Sequence, residues 1–438
     1  MKKSLLIITT MILWVFSAVA QQPQIDFIEY ELDNGLHVIL HQDNTTPIVT
    51  VNIMYHVGSK NDRPDRTGFA HFFEHLMFEG SEHIGRGEFS EIVEKAGGSL
   101  NAWTSFDITN YFVLLPSNQL ELGLWLESER LLHPTVDSIG IATQKNVVTE
   151  EMKQTRDNRP YGRILTETIK RAYSQHPYRW DVLGKDEHIR NAEDHEFADY
   201  HSMYYVPNNA VLVVAGDIDI DETKKMVELY FGDIPRGDHE IYRPDIKEPK
   251  LTSAVRDTFF DNIQLPAIIH AYHMPARGDD DYYAVDMLGT ALSGGQSSRL
   301  YRKLVIEEEM ALQIQAIPLG LEDPGLFIIF ALPNMGVDIL ELEQAIDAEI
   351  EKIANELITE KEMQKLYNQY ESRLVGGNTT MSSIASTLAD YHLVFGDASR
   401  INTEIDRYFE VDREQIKEAA QRYFDLDRRI IIHYLPKP

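Results

Sequence analysis

The sequence contains no cysteine in its 438 residues. Disulfide bonds, thiolate metal ligands and cysteine nucleophiles are therefore excluded, and stability has to come from hydrophobic cores. After residue 20 it also lacks any apolar run long enough to span a bilayer. What is present is the composition of a globular protein, 43% hydrophobic and 25% charged, with a length that suggests two or three domains.

Positive charge is scarce as well: 41 Lys and Arg stand against 70 Asp and Glu, which gives a formal net charge of −29. Such a surface repels nucleic acid and anionic membranes, so neither is expected as a partner. It would favour cationic peptides, although a solvated acidic face is the more common reason for an excess of this kind.

The first twenty residues differ from the rest. Lys2 and Lys3 precede an apolar run that ends in A-V-A at Ala20. This is typical of a secretory signal with its cleavage site, and a membrane anchor is less favoured because the run is short and ends in small residues. We expect residues 1–20 to be removed and the mature protein to be secreted, into a bacterial periplasm, with no membrane span.

The order of predicted elements indicates an internal repeat. Two strand-like runs flank Asn34-Gly35, which predicts a hairpin, and a helix is predicted over about residues 137–157. Strands and helices alternate up to about residue 230, and a proline-rich, charged segment follows. A second set begins with the strand-like LPAIIHAYHM and a helix in DDYYAVDMLGTALSG. We predict an α+β protein with two related domains, residues 21–235 and 252–438, joined by a linker over 236–251.

The stretch H-F-F-E-H contains the main chemical motif. His71, Glu74 and His75 lie at helical positions i, i+3 and i+4, so they share one face. Two imidazoles one turn apart can bind one Zn²⁺, and a carboxylate beside them can take a proton from a zinc-bound water. The alternative is a solvated helix face, but the residues around the motif are almost all apolar.

A catalytic zinc site needs a third protein ligand and one open position. Glu150 and Glu151 on a later predicted helix are the candidates. Because adjacent helical residues point about 100° apart, only one of them is expected to face the metal. H-x-x-E-H is the signature of the inverzincins.

From these residues the chain resembles the pitrilysin/insulinase family of zinc peptidases. VGSKNDRPDRTGFAHFFEHLMFEGSE looks like the family's signature, and GGSLNAWTSFDITNYF, VVTEEMKQTRDNRPYG and SGGQSSRLYRKL resemble three further family segments. The resemblance implies His71, His75 and Glu151 as zinc ligands and Glu74 as general base. Many members carry a supporting glutamate two turns before the third ligand, where this chain has Gln144, so no supporting carboxylate is assigned.

The family's fold implies two homologous α+β domains, each a mostly antiparallel sheet packed with helices, which form one half of a clamshell. Peptide substrate is expected to lie as an added strand on a sheet edge. The resemblance puts Asn101 and Ala102 on that edge, with the Asn101 side chain free to pair with the substrate backbone. From the residues alone, Asn101 is equally well a turn or bulge residue after Gly97-Gly98.

The chain departs from the family at one place. The complete active site also contains an Arg and a Tyr from the other half of the clamshell, in a segment resembling L-R-x-x-x-x-L-x-Y. In LVIEEEMALQI these positions hold Val305 and Leu312, and neither side chain can donate a hydrogen bond. Either a nearby residue (Arg299, Tyr301 or Arg302) substitutes, or a homologous partner subunit supplies the pair.

The favoured function is a secreted zinc metalloendopeptidase that cleaves short or unfolded peptides in an enclosed chamber, as the catalytic subunit of a heterodimer. The alternative is a non-catalytic peptide-binding or scaffold subunit of the same fold, which would have little reason to keep all four zinc-site residues. A zinc hydrolase acting on another kind of bond is the third possibility.

Overall fold

The computed structural model describes residues 24–438. The predicted signal segment, residues 1–20, lies outside this range. None of the helices within it is long and apolar enough to cross a bilayer.

The first domain is built on a six-stranded sheet. Its strands are β1 (Ile28–Glu31), β2 (His37–Gln42), β3 (Ile48–Tyr55), β4 (Ser99–Thr104), β5 (Thr109–Pro116) and β6 (Ala210–Gly216). They lie in the order β1-β2-β6-β3-β5-β4, and only the pair β2–β6 is parallel. The hairpin predicted at Asn34-Gly35 is confirmed, because Gly35 takes a φ of +85° and its N–H donates to the Leu32 carbonyl.

Eight helices of this domain pack on the sheet or surround it. They are α1 (Phe69–Leu76), α2 (Glu88–Lys95), α3 (Leu120–Leu132), α4 (Ser138–Met152), α5 (Ile164–Ala172), α6 (Asp186–Asn191), α7 (Asp194–Tyr204) and α8 (Ile220–Phe231). The helix predicted over residues 137–157 is confirmed, with residues 153–157 continuing α4 as a wider π-type turn. Residues 232–254 form no helix or strand, as expected of the proline-rich segment.

The second domain is built on five strands and six helices. The strands are β7 (Val255–Asp261), β8 (Ala267–His273), β9 (Ala311–Leu319), β10 (Leu326–Pro333) and β11 (Ile430–Pro436). The helices are α9 (Tyr282–Ser293), α10 (Ile339–Asn355), α11 (Glu360–Gly377), α12 (Met381–Phe395), α13 (Glu404–Glu410) and α14 (Arg413–Tyr423).

The two sheets repeat one topology. The second has the order β7-β11-β8-β10-β9, which corresponds strand for strand to β2-β6-β3-β5-β4, and its one parallel pair, β7–β11, corresponds to β2–β6. Helix α9 follows β8 as α1 follows β3. The predicted fold class, two homologous and mostly antiparallel α+β domains, is therefore confirmed, while the boundaries at residues 235 and 252 stay a prediction.

Helix α12 joins the domains. Ile384, Leu388 and their neighbours pack in one cluster with Ile39 and Val213 from the first sheet. The first sheet thus has its own helices on one face and a helix of the second domain on the other. The α1 face of this sheet carries the candidate site.

Candidate metal centre

The start of helix α1 is determined by a buried carboxylate. Asp62 Oδ2 accepts the backbone N–H of Gly68 at 2.8 Å, and Oδ1 accepts that of Ala70 at 3.1 Å. Gly68 has a φ of +93°, and a Cβ there would lie 2.6 Å from the Leu183 carbonyl oxygen. A glycine followed by a capped N-terminus therefore fixes where the helix begins and how it is rotated.

The apolar side of α1 anchors the helix in the core. Phe72 and Phe73 are fully buried, and Phe73 stacks on Tyr200 of α7 with ring centroids 4.9 Å apart. Phe72 packs on Phe197 of the same helix at 4.6 Å. With these positions buried, the i, i+3 and i+4 positions that carry the polar residues are turned toward α4.

Three possible ligand atoms converge between α1 and α4. The Nε2 atom of His75 lies 3.2 Å from Glu151 Oε2, and that of His71 lies 3.7 Å from the same oxygen. All three atoms lie within 4.8 Å of one another. Glu150, by contrast, is exposed and pairs with Lys153 at 3.2 Å. Of the two adjacent glutamates, it is Glu151 that lies beside the histidines.

The electrostatics of His71 and Glu151 match what a divalent cation requires. Burial and the neighbouring His75 lower the pKa of His71 to about 4, against the opposing effect of Glu151, so its imidazole is neutral at pH 7. The hydrogen bond from His75 lowers the pKa of Glu151 despite its partial burial, which keeps it a carboxylate. Neutral imidazoles and a carboxylate are the forms that ligate metal.

The donor set fits zinc. Ligands about 2.0–2.1 Å from a tetrahedral zinc ion stand about 3.3 Å apart, and the two His–Glu151 separations fall on either side of that value. Two imidazoles and one carboxylate also leave a fourth position open.

Glu74 lies on the same helix face and is held by a residue that sequence analysis missed. Its Oε2 accepts a hydrogen bond from the Thr104 hydroxyl at 2.7 Å. Burial raises the pKa of Glu74, while Thr104 and His75 act to lower it. Thr104 ends β4 and closes the GGSLNAWT segment, so position in a recognised segment was the signal that could have identified it.

Strand β4 is the edge of the first sheet, and it carries Asn101 and Ala102. That the Asn101 side chain pairs with the backbone of a substrate stays a prediction. In this structure Asn101 Oδ1 accepts the Ala102 backbone N–H at 2.9 Å. On an edge strand, an outward N–H has no neighbouring strand to pair with, and a local asparagine can satisfy it instead.

Gln144 also has a defined partner. Its amide donates to Glu79 Oε1 at 2.6 Å, just after α1, and Glu79 pairs in turn with Arg86. Gln144 therefore connects α4 to the segment after α1, two turns from Glu151.

The segment predicted to lack the Arg–Tyr pair lies in the second domain. Val305 is in a helical stretch over residues 301–307, and Leu312 is at the start of β9, half exposed. The nearby Arg299 is bonded to Glu362 at 2.8 and 3.1 Å.

Comparison with known proteins agrees with these observations. Residues 37–185 match the description "Insulinase (Peptidase family M16)", and residues 194–370 match "Peptidase M16 inactive domain". Zinc protease PqqE of Helicobacter pylori is 32% identical over 381 residues, which cover 86% of this chain and 85% of that protein. The uncharacterized zinc protease YmxG of Bacillus subtilis is 25% identical over 90% of this chain and 94% of the relative.

Solved structures show the same fold. A protease from Helicobacter pylori superposes with a TM-score of 0.89 and 29% identity, over 94% of this chain and all of that one. Pitrilysin superposes with a TM-score of 0.77 at 19% identity, and 96% of this chain covers 46% of its length. With its sheet repeat and its matches over both halves, this chain belongs to the M16, or insulinase, family of peptidases, whose members include relatives named zinc proteases.

Proposed function

We propose that this protein is a zinc metalloendopeptidase of the H-x-x-E-H type that cleaves short or unfolded peptides. His71, His75 and Glu151 would hold the zinc ion, and Glu74 would be the general base. The observation that carries the proposal is the convergence of the first three side chains within 4.8 Å, with Glu74 on the same face of α1.

Zinc at this site would supply Lewis-acid chemistry toward a water molecule and the scissile carbonyl. Glu74 takes a proton from the attacking water and returns it to the nitrogen of the leaving amine. A carboxylate whose pKa is raised by burial is a stronger base than an exposed one, which favours the transfer of the proton from water. Thr104 orients this carboxylate through its hydroxyl.

The edge strand β4 supports a peptide as the substrate. It ends at Thr104, next to Glu74, so a peptide added along this edge would bring its backbone to the base. An incoming strand would take over the Ala102 N–H that Asn101 now satisfies. Pairing through the backbone would make binding depend little on the peptide's sequence.

A partner subunit would complete the active site. With Val305 and Leu312 at the expected donor positions, this chain has no hydrogen-bond donor there. Arg299, a possible substitute, is engaged by Glu362 in its own domain. We therefore infer a heterodimer with a homologous secreted subunit that closes the chamber and donates an Arg and a Tyr to the developing oxyanion.

Export to a bacterial periplasm is part of the proposal and depends on residues 1–20. One structural neighbour, PqqL of Escherichia coli, is a periplasmic protease, with 18% identity and a TM-score of 0.77. At 18% identity this similarity shows a shared fold and does not by itself show the location of this protein.

The first experiment separates zinc binding from turnover. Glu74→Gln should keep zinc at the wild-type level, measured by mass spectrometry of metals. It should lower cleavage of a quenched fluorescent peptide library at least about a hundred-fold, because it removes the base. If Glu74→Gln cleaves as fast as wild type, the assignment of the base is wrong.

The second experiment tests the partner. The chain is purified from its native source together with the proteins that bind it. The peptidase activity of the chain alone is then compared with that of the complex. Full activity of the chain alone would contradict the heterodimer. A complex that binds peptides but contains no zinc and cleaves nothing would instead support the scaffold function.

A further inference from the structure

A second group of possible metal ligands lies where the two domains meet. Glu29 is on β1, His37 begins β2, and His392 is in the last turn of α12. We call these three residues the hairpin–helix cluster. One possible ligand atom from each lies within 4.8 Å of the others, and the cluster is separate from His71, His75 and Glu151.

The spacing of this cluster resembles that of the proposed catalytic site. Glu29 Oε2 lies 3.0 Å from His37 Nε2 and 3.8 Å from His392 Nδ1. At the catalytic site the corresponding separations are 3.2 and 3.7 Å. Both sets bracket the distance of about 3.3 Å that separates two ligands of one tetrahedral zinc ion.

The side chains are held by rigid elements. Glu29 pairs with Ile39 across the hairpin, so Glu29 and His37 are diagonal neighbours on one face. Helix α12 is fixed by Ile384 and Leu388 in the core between the domains. The backbone positions of all three residues are therefore set by strand pairing and packing, without any ion.

One atom of the cluster is without a hydrogen bond. His392 Nδ1 is buried and has no hydrogen-bond partner among residues 24–438. The two imidazole rings stack with centroids 3.5 Å apart and planes 16° from parallel. Because the nitrogen lone pairs lie in the ring planes, one ring would have to rotate about its Cβ–Cγ bond for both nitrogens to face one ion. Glu29, 43% exposed, is free to follow and leaves room for water ligands.

We propose that the hairpin–helix cluster binds a divalent ion of the zinc class and thereby clips the second domain to the first. Two imidazoles and one carboxylate favour Zn²⁺ over Mg²⁺ or Ca²⁺, which prefer sites made entirely of oxygen ligands. The ion would join residues far apart in the chain, so it would stabilise the docking of α12 on the first sheet.

The test counts ions in the mature chain, purified without a histidine tag. Zinc binding is measured by calorimetric titration, and Co²⁺ absorption reports the coordination. We compare wild type with His71→Gln/His75→Gln and with His37→Gln/His392→Gln. A matched control changes two exposed histidines, His83→Gln/His195→Gln.

Wild type and the control should bind two ions, and each of the other two variants should bind one. Added zinc should raise the thermal midpoint of His71→Gln/His75→Gln but not of a variant with all four substitutions. The proposal is overturned if His37→Gln/His392→Gln still binds two ions, or if His71→Gln/His75→Gln binds none.

The outcomes separate this site from the proposed catalytic zinc. If wild type binds one ion and only His71→Gln/His75→Gln loses it, the hairpin–helix cluster does not bind zinc and the peptidase proposal stays intact. If wild type binds one ion and only His37→Gln/His392→Gln loses it, the cluster binds zinc and the proposed catalytic site does not. Should that variant fail to fold, Glu29→Gln replaces it, since this exposed change should weaken the second binding event at least about ten-fold. Unchanged affinity in Glu29→Gln would overturn the clip.

Discussion

At the scale of single residues, the geometry of Glu74 depends on Thr104. The hydroxyl donates at 2.7 Å to the carboxylate oxygen, from a strand that is remote from α1 in sequence. A glutamate side chain has several rotatable bonds, and a hydrogen bond to a charged group contributes about 1.5–3 kcal/mol. Thr104 therefore acts as a positioning residue for Glu74, the proposed base.

The first prediction concerns this hydrogen bond. Thr104→Val keeps the shape of the side chain and removes the donor, so kcat for peptide cleavage should fall about ten-fold, with KM and zinc content unchanged. Thr104→Ser, which keeps the hydroxyl, should restore most of the activity. A kcat equal to wild type in Thr104→Val would show that the base is held by other contacts.

At the scale of elements, α1 and β4 have different tasks. Helix α1 needs a fixed start because its rotation decides where His71 and His75 point, and the Asp62 carboxylate supplies it through three backbone N–H groups. Strand β4 is the last strand of the sheet, so its edge is open to the proposed peptide substrate.

The second prediction tests the helix cap. Asp62→Ala should lower the free energy of unfolding by about 1–2 kcal/mol and weaken zinc binding about ten-fold, because α1 loses its fixed N-terminus. The control is Asp219→Ala, which removes the cap of α8, where Asp219 accepts the Glu222 N–H at 2.9 Å. This variant should lose similar stability but keep wild-type zinc affinity. Equal zinc affinities in the two variants would show that the cap of α1 does not influence zinc binding.

The third prediction tests the substrate edge. Ala102→Pro removes the backbone N–H that a peptide strand would use, so KM should rise at least about ten-fold while zinc content stays the same. Asn101→Ala distinguishes two roles for the asparagine. If Asn101 only satisfies the Ala102 N–H, this change leaves KM the same or lowers it. If the side chain pairs with substrate, KM rises.

At the scale of the whole molecule, a buried ion cluster connects the domains. Lys60 of the first domain contacts Asp107 at 3.0 Å and, in the second domain, Glu322 at 2.6 Å and Asp323 at 3.1 Å. His56 also bonds to Glu322, at 3.1 Å. The Lys60 side chain is 6% exposed, so breaking the cluster would leave charges buried without partners. This cluster and α12 are two of the connections between the domains, and α5 packs against the second sheet as another.

The fourth prediction is a pH dependence of stability. Burial would raise the pKa of Glu322, but hydrogen bonds from His56 and Lys60 and their positive charges outweigh it and lower the pKa to about 2. An unfolded glutamate titrates near about 4.3. The stabilisation is therefore present above about pH 4.3 and is lost as the pH falls toward 2, and it amounts to at most about 3 kcal/mol.

Denaturant unfolding of the metal-free chain between pH 5 and 2 checks this. Wild type should lose more stability on acidification than Glu322→Gln, which lacks the titrating group. Glu360→Gln, at a surface ion pair where the glutamate is 84% exposed, should follow wild type. Parallel curves for wild type and Glu322→Gln would contradict the role of Glu322.

Much of the fold and of the site could be predicted from local patterns. Alternation and turn residues identified the hairpin at Asn34-Gly35, and the 3.6-residue period placed His71, Glu74 and His75 on one helix face. The repeat of strand and helix order was also visible, and the two sheets match it strand for strand. These features depend on residues close together in the chain, where backbone geometry leaves few alternatives.

Contacts between distant segments could not be predicted in this way. Three contacts follow from how α1, α4 and β4 pack. Glu151 and not Glu150 faces the histidines, Thr104 donates to Glu74, and Asn101 accepts the backbone N–H of Ala102 on its own strand. The same holds for His37 and His392, which nothing in the sequence relates to each other and which only the docking of α12 brings together. The sequence by itself determined which residues could carry the chemistry, because periodicity is local. The tertiary structure decided which of them meet, because packing joins positions whose separation along the chain carries no signal.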